Sequence, residues 1–276
     1  MAQVAAAMIL VSGAAHAVVN AVLKSGKDKM SSRALIDGFS ALLILPALFV
    51  LPLPHGAWGY LAASFVTHLV YLICLIKAFE LADMSAVYPI MRGTAPVLAS
   101  FGAVVLLREP LTPVVITGIA MVSAGTLLIA LRRRANERSL LWALATGASI
   151  ATYTVVDAAG VRAAPSAFSY IAWVFLSLGG GIAVLFAIWR GPKFLLAARS
   201  EWKAGLTAGA LSIVTYGLAL WAYRLGDVAR LSALRETSIL FGLLIAVVFL
   251  KEPVTRARAA GAVTIAFGAG LLVATS

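Results

Sequence analysis

Along the chain, unbroken apolar runs of about 20 residues alternate with short polar connectors, and this alternation predicts helices long enough to cross a bilayer. The runs fall at 3–23, 34–53, 57–77, 85–107, 112–131, 139–158, 166–189, 203–223, 228–250 and 256–275, which makes ten. A helix rises ~1.5 Å per residue, so ~20 residues span the ~30 Å hydrocarbon layer. Strands of a membrane barrel would show ~10-residue segments of alternating polarity instead. The prediction is an all-α, multi-pass integral membrane protein with ten transmembrane helices. Turn and breaker residues punctuate the connectors: Ser25-Gly26, Pro52 and Pro54, Pro110, Pro165, Gly191-Pro192 and Pro253. The first run has no basic segment ahead of it and its lysines follow it, so it reads as a first membrane helix.

The chain also repeats itself. A shift of 143 residues lays Arg92 on Arg235, Leu107-Arg108-Glu109-Pro110 on Leu250-Lys251-Glu252-Pro253, Thr112 on Thr255, Gly118 on Gly261 and Gly125 on Gly268. A shift of 144 lays Leu81 on Leu225 and Asp83 on Asp227. Two five-helix repeats follow, 3–131 and 139–275, joined by a basic linker at 132–138. Five is odd, so the second repeat enters the membrane in the opposite sense. Inverted repeats in transporters enclose a substrate site near the bilayer midplane.

Composition agrees with a membrane solvent: 62% of residues are hydrophobic, 12% are charged, and mean hydropathy is +0.99, against ~25% charged in soluble domains. A net charge of +11 raises the question of nucleic acid, but the basic residues sit in connectors and form no basic face, so no nucleic-acid partner is expected. Sixteen of the 22 Lys and Arg residues lie in connectors after odd-numbered runs, and the other connectors hold only Arg108, Arg162, Arg224 and Arg230. The positive-inside rule puts the odd connectors in the cytoplasm and both termini outside. Cys74, the one cysteine, lies inside an apolar run and reads as a small buried hydrophobe. Catalytic signatures are missing and the three histidines fall in the first quarter of the chain, so no enzyme activity, metal or cofactor is expected.

Charges inside a membrane helix need a reason, because Arg at the centre costs roughly 2.5–3.5 kcal/mol on insertion scales. Arg92 and Arg235 are the main cases. Each either snorkels to the interface or faces an internal cavity, where two guanidiniums would form a forked donor pair for phosphate, phosphonate or carboxylate. Pro89 and Pro96 flank Arg92, so that run is expected to be kinked or locally unwound. Glu236 either pairs with Arg92 across the cavity or carries a coupling proton. Asp157, His16 and Asp37 are further proton-coupling candidates, each also explicable as a hydrated or hydrogen-bonded group. Asn20, His68, Tyr71, Tyr153, Trp173 and Tyr216 are the remaining candidate substrate-binding residues. The Glu-Pro pairs at 109–110 and 252–253 read as helix punctuation with no chemistry, Pro lying near the first turn of the next helix.

The run Val87-Tyr88-Pro89-Ile90-Met91-Arg92-Gly93-Thr94-Ala95-Pro96, the Leu-Arg-Glu-Pro-Leu-Thr stretch at 107–112 and its partner Leu-Lys-Glu-Pro-Val-Thr at 250–255 resemble the EamA family of the drug/metabolite transporter superfamily. His16, Asn20 and Lys24-Ser25-Gly26, with Tyr153-Thr154, Asp157 and Gly160-Val161-Arg162, look like a branch associated with phosphonate-utilisation gene sets. The resemblance implies ten helices, alternating access, and ATP-independent transport or export of small polar metabolites. Family members are drawn with cytoplasmic termini, opposite to the charge count here. The expected partners are a small anionic or zwitterionic substrate, the lipid bilayer and coupling protons, with the chain a monomer or weak homo-oligomer. Two other functions fit the sequence: a flippase for a lipid-linked headgroup, and a membrane assembly subunit or enzyme without transport.

Overall fold

The computed structural model describes residues 1–25, 29–130, 136–248, 251 and 254–274. Gly26, most of the basic linker (132–135) and the Glu252-Pro253 pair lie outside the described residues. Among those described, every regular element is helical. In chain order these are α1 (Ala2–Ser25), α2 (Lys29–Ile44, extended by a 3-10 turn at Leu45–Phe49), α3 (Trp58–Leu81), α4 (Met84–Leu107) and α5 (Pro113–Ala130). Then come α6 (Glu137–Ala163), α7 (Ala167–Arg190, with a π-helical turn at Phe175–Gly180), α8 (Pro192–Leu225), α9 (Val228–Val248, interrupted after Arg235) and α10 (Arg256–Ala274). Nine of these have the length and apolarity to cross a membrane, and α5 is a shorter apolar helix. The chain is an all-α, multi-pass integral membrane protein, as the apolar runs predict.

Local chemistry sets the ends. Asn136 caps α6, its side chain accepting from the Ser139 backbone N–H at 2.8 Å, which satisfies a donor that the first turn leaves free. α4 stops because Arg108 turns left-handed (φ 56°) and the Glu109 N–H closes back onto the Ala103 carbonyl at 3.1 Å. Pro113 then opens α5, where a missing N–H costs nothing. Pro110 therefore belongs to the connector and not to the next helix. Among the described residues the only two non-glycine residues with positive φ are Arg108 and Lys251 (φ 51°), the pair that the 143-residue shift superimposes.

The two halves interleave. α3 packs on α6 and its equivalent α8 packs on α1; α4 packs on α6 and its equivalent α9 packs on α1; α5 packs on α10. At the last crossing a Cβ on Gly118 would meet the Gly268 carbonyl at 3.1 Å, and one on Gly125 the Gly261 carbonyl at 2.7 Å. Rising numbers on α5 meet falling numbers on α10, so these equivalent helices run antiparallel, as an inversion of one half relative to the other requires. Small residues are needed here because lipid gives helices no hydrophobic reason to associate, and close backbone approach supplies the attraction. Inside this small-residue framework lie Asp157 at 0%, Glu236 at 3%, Arg92 at 7% and Arg235 at 8% exposure. A buried charge without a partner is costly, so these four define where to look for function.

Candidate functional site

The site is built on a break in α9. Glu236 N–H bonds to the Ala233 carbonyl at 3.0 Å, Thr237 N–H to Leu234 at 3.1 Å, Ile239 N–H to Glu236 at 3.0 Å and Leu240 N–H to Thr237 at 2.9 Å. These are three-residue closures in place of the four-residue ones of an α-helix. The Thr237 hydroxyl also donates to the Leu234 carbonyl at 2.7 Å, competing with the backbone as threonine does near helix ends. The turn leaves the Ser232 carbonyl without its usual helical donor. It also places Arg235 and Glu236, adjacent in sequence, against different neighbours. α4, where the two prolines led us to expect a kink or local unwinding, is not unwound: it is helical from Met84 to Leu107 with Pro89 and Pro96 inside it. The interruption lies instead in the equivalent helix, at the hydroxyl and the paired charges.

Arg92 of α4 meets Glu236 across the bundle, with Nε 2.9 Å from Oε2, and its Nη2 donates to the Ser238 hydroxyl at 3.0 Å. The ion pair is close but poorly aligned: Arg92 Nε and Glu236 Oε2 are both buried and neither makes a hydrogen bond within the protein. Arg235 Nε is buried and unbonded as well. Its guanidinium carbon lies 5.1 Å from the Tyr216 ring centroid, a cation–π contact. Among the described residues no carboxylate comes within 4.0 Å of Arg235. All three residues line one cleft, walled also by Pro96, Thr154 and Tyr223, whose cavity volume is about 10 Å³. Clefts that hold a ligand are typically ~300–1,000 Å³, so this conformation is closed around the site.

Rings from three helices cluster beside Arg235, which rests on one of them, Tyr216. His68 stacks on Tyr153 with centroids 4.0 Å apart and planes 21° apart. Tyr71 and Tyr216 approach Tyr153 edge-on at 5.6 and 6.5 Å. Behind Tyr216, the fully buried Asp157 carboxylate accepts from the Tyr216 hydroxyl and, at 2.9 Å, from the Tyr170 hydroxyl. Tyr170 fits because Gly160 lacks the Cβ that would collide with its ring. His16 on α1 is half-buried and within electrostatic reach of both Arg92 and Arg235.

Three other candidates are engaged with partners outside this cluster, although Asp37 remains within electrostatic reach of His68 and Tyr71. Asn20 contacts the Tyr88 hydroxyl at 3.5 Å, Asp37 is paired with Arg33 one turn away at 3.0 Å, and Trp173 packs edge-on against Trp58 at 4.9 Å.

Residues 137–274, half of the chain, match the EamA-like transporter family. The chain belongs to that family. No curated protein is similar enough in sequence to count as a relative. A crystal structure of a protein 19% identical in sequence superposes over 98% of this chain and 95% of its own, with a TM-score of 0.72, which extends the likeness in fold to the first half as well.

This EamA-like chain contains a second charged cluster, at the face of the even-numbered connectors, which sequence reading passed over. Glu109, 7% exposed, is not mere punctuation. Its Oε1 accepts from Arg162 Nη2 at 2.7 Å and its Oε2 from the Ala229 N–H at 3.2 Å, at the start of α9. Arg162, at the end of α6, also donates to the carbonyls of Tyr223 and Gly226 at 2.9 Å each. Arg224, at the end of α8, donates to the carbonyls of Val161 and Ala164 at 2.8 and 2.9 Å. Three helix ends and the α4–α5 connector are thereby tied together by charges placed at the helix termini that favour them. One signal was available: Arg162 and Arg224 are two of only four basic residues on a face otherwise poor in them.

Proposed function

We propose that this EamA-like transporter is a secondary transporter of a small anionic or zwitterionic metabolite, with Arg235 as the fixed anchor for its negative group. The supporting observation is the set of buried, unspent hydrogen-bonding atoms on Arg92, Arg235 and Glu236 around one cleft. Buried polar atoms in proteins are nearly always paired, so such a group calls for a ligand or bound water. Of the two arginines, Arg92 is already neutralised by Glu236, whereas Arg235 rests on the Tyr216 ring beside the Tyr223 phenol and has no carboxylate partner among the described residues. An arriving carboxylate, phosphonate or phosphate gives Arg235 the charge-assisted bonds it lacks. The ring wall of His68, Tyr71, Tyr153 and Tyr216 supplies apolar contact for the rest of the molecule.

Alternating access accounts for the second cluster. A carrier working around a midplane site must close one face while the other opens, and the Glu109–Arg162–Arg224 network ties α4, α6, α8 and α9 shut at one face. The charge count on the connectors makes that the extracytoplasmic face.

The test is a ligand-induced thermal-shift screen of the purified chain against amino acids, phosphonates, sugar phosphates and cationic drugs, run in parallel on Arg235→Ala. Stabilisation follows occupancy by mass action, about 2.7 kcal/mol at 100 times Kd. Anionic or zwitterionic compounds should stabilise the wild type and lose the effect in the variant. Cationic compounds that stabilise both proteins equally would overturn the assignment.

A further inference from the structure

We propose that the Glu236 carboxylate is a built-in substitute for the ligand's own anionic group on Arg92, and that a bound anion displaces it with uptake of one proton by Glu236. This rests on the anion-site reading above and adds to it a co-substrate and a stoichiometry.

The geometry carries the argument. Glu236 and Arg235 leave the α9 turn side by side, so an anion on Arg235 arrives beside Arg92, the next guanidinium bordering the same cleft. A tetrahedral or planar oxyanion can offer Arg92 two parallel acceptors. Glu236 offers it a 2.9 Å approach in which Nε and Oε2 make no hydrogen bond, so the resident partner is the poorer one. Once displaced, Glu236 has one other cation in reach, Arg235, and the arriving anion already occupies it. The groups facing it are Arg92 on α4, Arg235 on its own helix and Tyr223 on α8, and around those two arginines stand Tyr88 on α4, Tyr153 on α6, Tyr216 on α8 and His16 on α1. α5 carries no titratable residue, and α10 carries only Arg256 and Arg258, in its first turn. Asp157 adds another negative charge behind Tyr216. A buried carboxylate stripped of its cation neutralises itself by taking a proton. The proton comes from solvent and stays on a Glu236 oxygen, near the Tyr223 phenol. Binding of anion and proton is then one event, and the bound state holds one more proton than the free state. Affinity therefore falls as pH rises, by about tenfold per unit where Glu236 is otherwise ionised.

Acetate, methanesulfonate and sulfate keep fixed charges between pH 6 and 8, so any proton change on binding them belongs to the protein. The detergent-solubilised full chain is titrated with each in two buffers of different ionisation enthalpy, giving affinity and proton uptake together. The expected result is uptake of about one proton per anion in the wild type. Glu236→Gln should take up none and bind with pH-independent affinity. Glu236→Asp, which keeps a carboxylate, should retain the uptake, and His16→Gln should leave it unchanged. Zero uptake by the wild type, persistent uptake in Glu236→Gln, or loss of uptake in His16→Gln overturns the proposal while leaving the anion site intact. Failure of the wild type to bind any of the three anions, or equal binding by Arg235→Ala, removes the anion site itself and this inference with it.

Discussion

Replacing Arg162 with alanine tests whether the cluster at the even-connector face is a gate. The substitution removes one ion pair at 2.7 Å and two carbonyl contacts at 2.9 Å, leaving Glu109 with only the Ala229 N–H. Breaking a fully buried pair by deleting one partner costs ~3–5 kcal/mol. Here the Glu109 side chain is 6% exposed but that of Arg162 is 31% exposed, so water softens the loss and about 2 kcal/mol is the reasonable figure. That corresponds to roughly a 30-fold shift in the open-to-closed ratio. The assay is thiol labelling of a Ser232→Cys reporter in a Cys74→Ala background, using a charged, membrane-impermeant maleimide added at the even-connector face. Ser232 borders the cleft, so its labelling rate follows the opening of that face. Arg162→Ala should raise the rate by at least tenfold and Arg162→Lys by less, because lysine keeps the charge but cannot hold three acceptors in a fork. An unchanged rate in a variant that elutes and melts as a folded protein would mean that the cluster fastens helix ends without governing access.

The remaining expectations are narrower. Gly125→Ala puts a Cβ 2.7 Å from the Gly261 carbonyl, so it should cost ~1–3 kcal/mol by overpacking; Gly242→Ala, with nothing within 4 Å, should leave the melting temperature near wild type. Tyr216→Ala removes the ring under Arg235, a contact worth ~0.5–2 kcal/mol, so it should weaken anion binding by thirtyfold at most, where Arg235→Ala abolishes it; the thermal-shift titration measures both.

Much of the fold is one-dimensional information. In hydrocarbon every backbone polar group must be satisfied within its own segment, so each span announces itself as a continuous apolar run that needs no knowledge of its neighbours. The matching motifs were equally legible, because Leu-Arg-Glu-Pro and Leu-Lys-Glu-Pro stand 143 residues apart in the chain. The charged candidates were legible for the same reason: Arg92, Arg235, Glu236 and Asp157 stand out wherever the solvent is lipid.

What each charge touches was not legible. Arg92 takes its partner from a residue 144 positions away, Arg235 rests on a ring from α8, and Asp157 is held by two phenols from other helices. Only packing decides among such contacts, since their energies depend on distances and angles that spacing along one helix does not fix. The interruption of α9 went unseen because it comes from a hydroxyl and charge pairing, whereas the prolines of α4 are absorbed in an unbroken helix. Glu109 read as connector punctuation because its partners, Arg162 and the α9 N-terminus, reach it only once three helix ends converge. Sequence named the parts that a bilayer cannot ignore, and tertiary structure decided which of them neutralise one another and which are left with bonding capacity to offer a ligand.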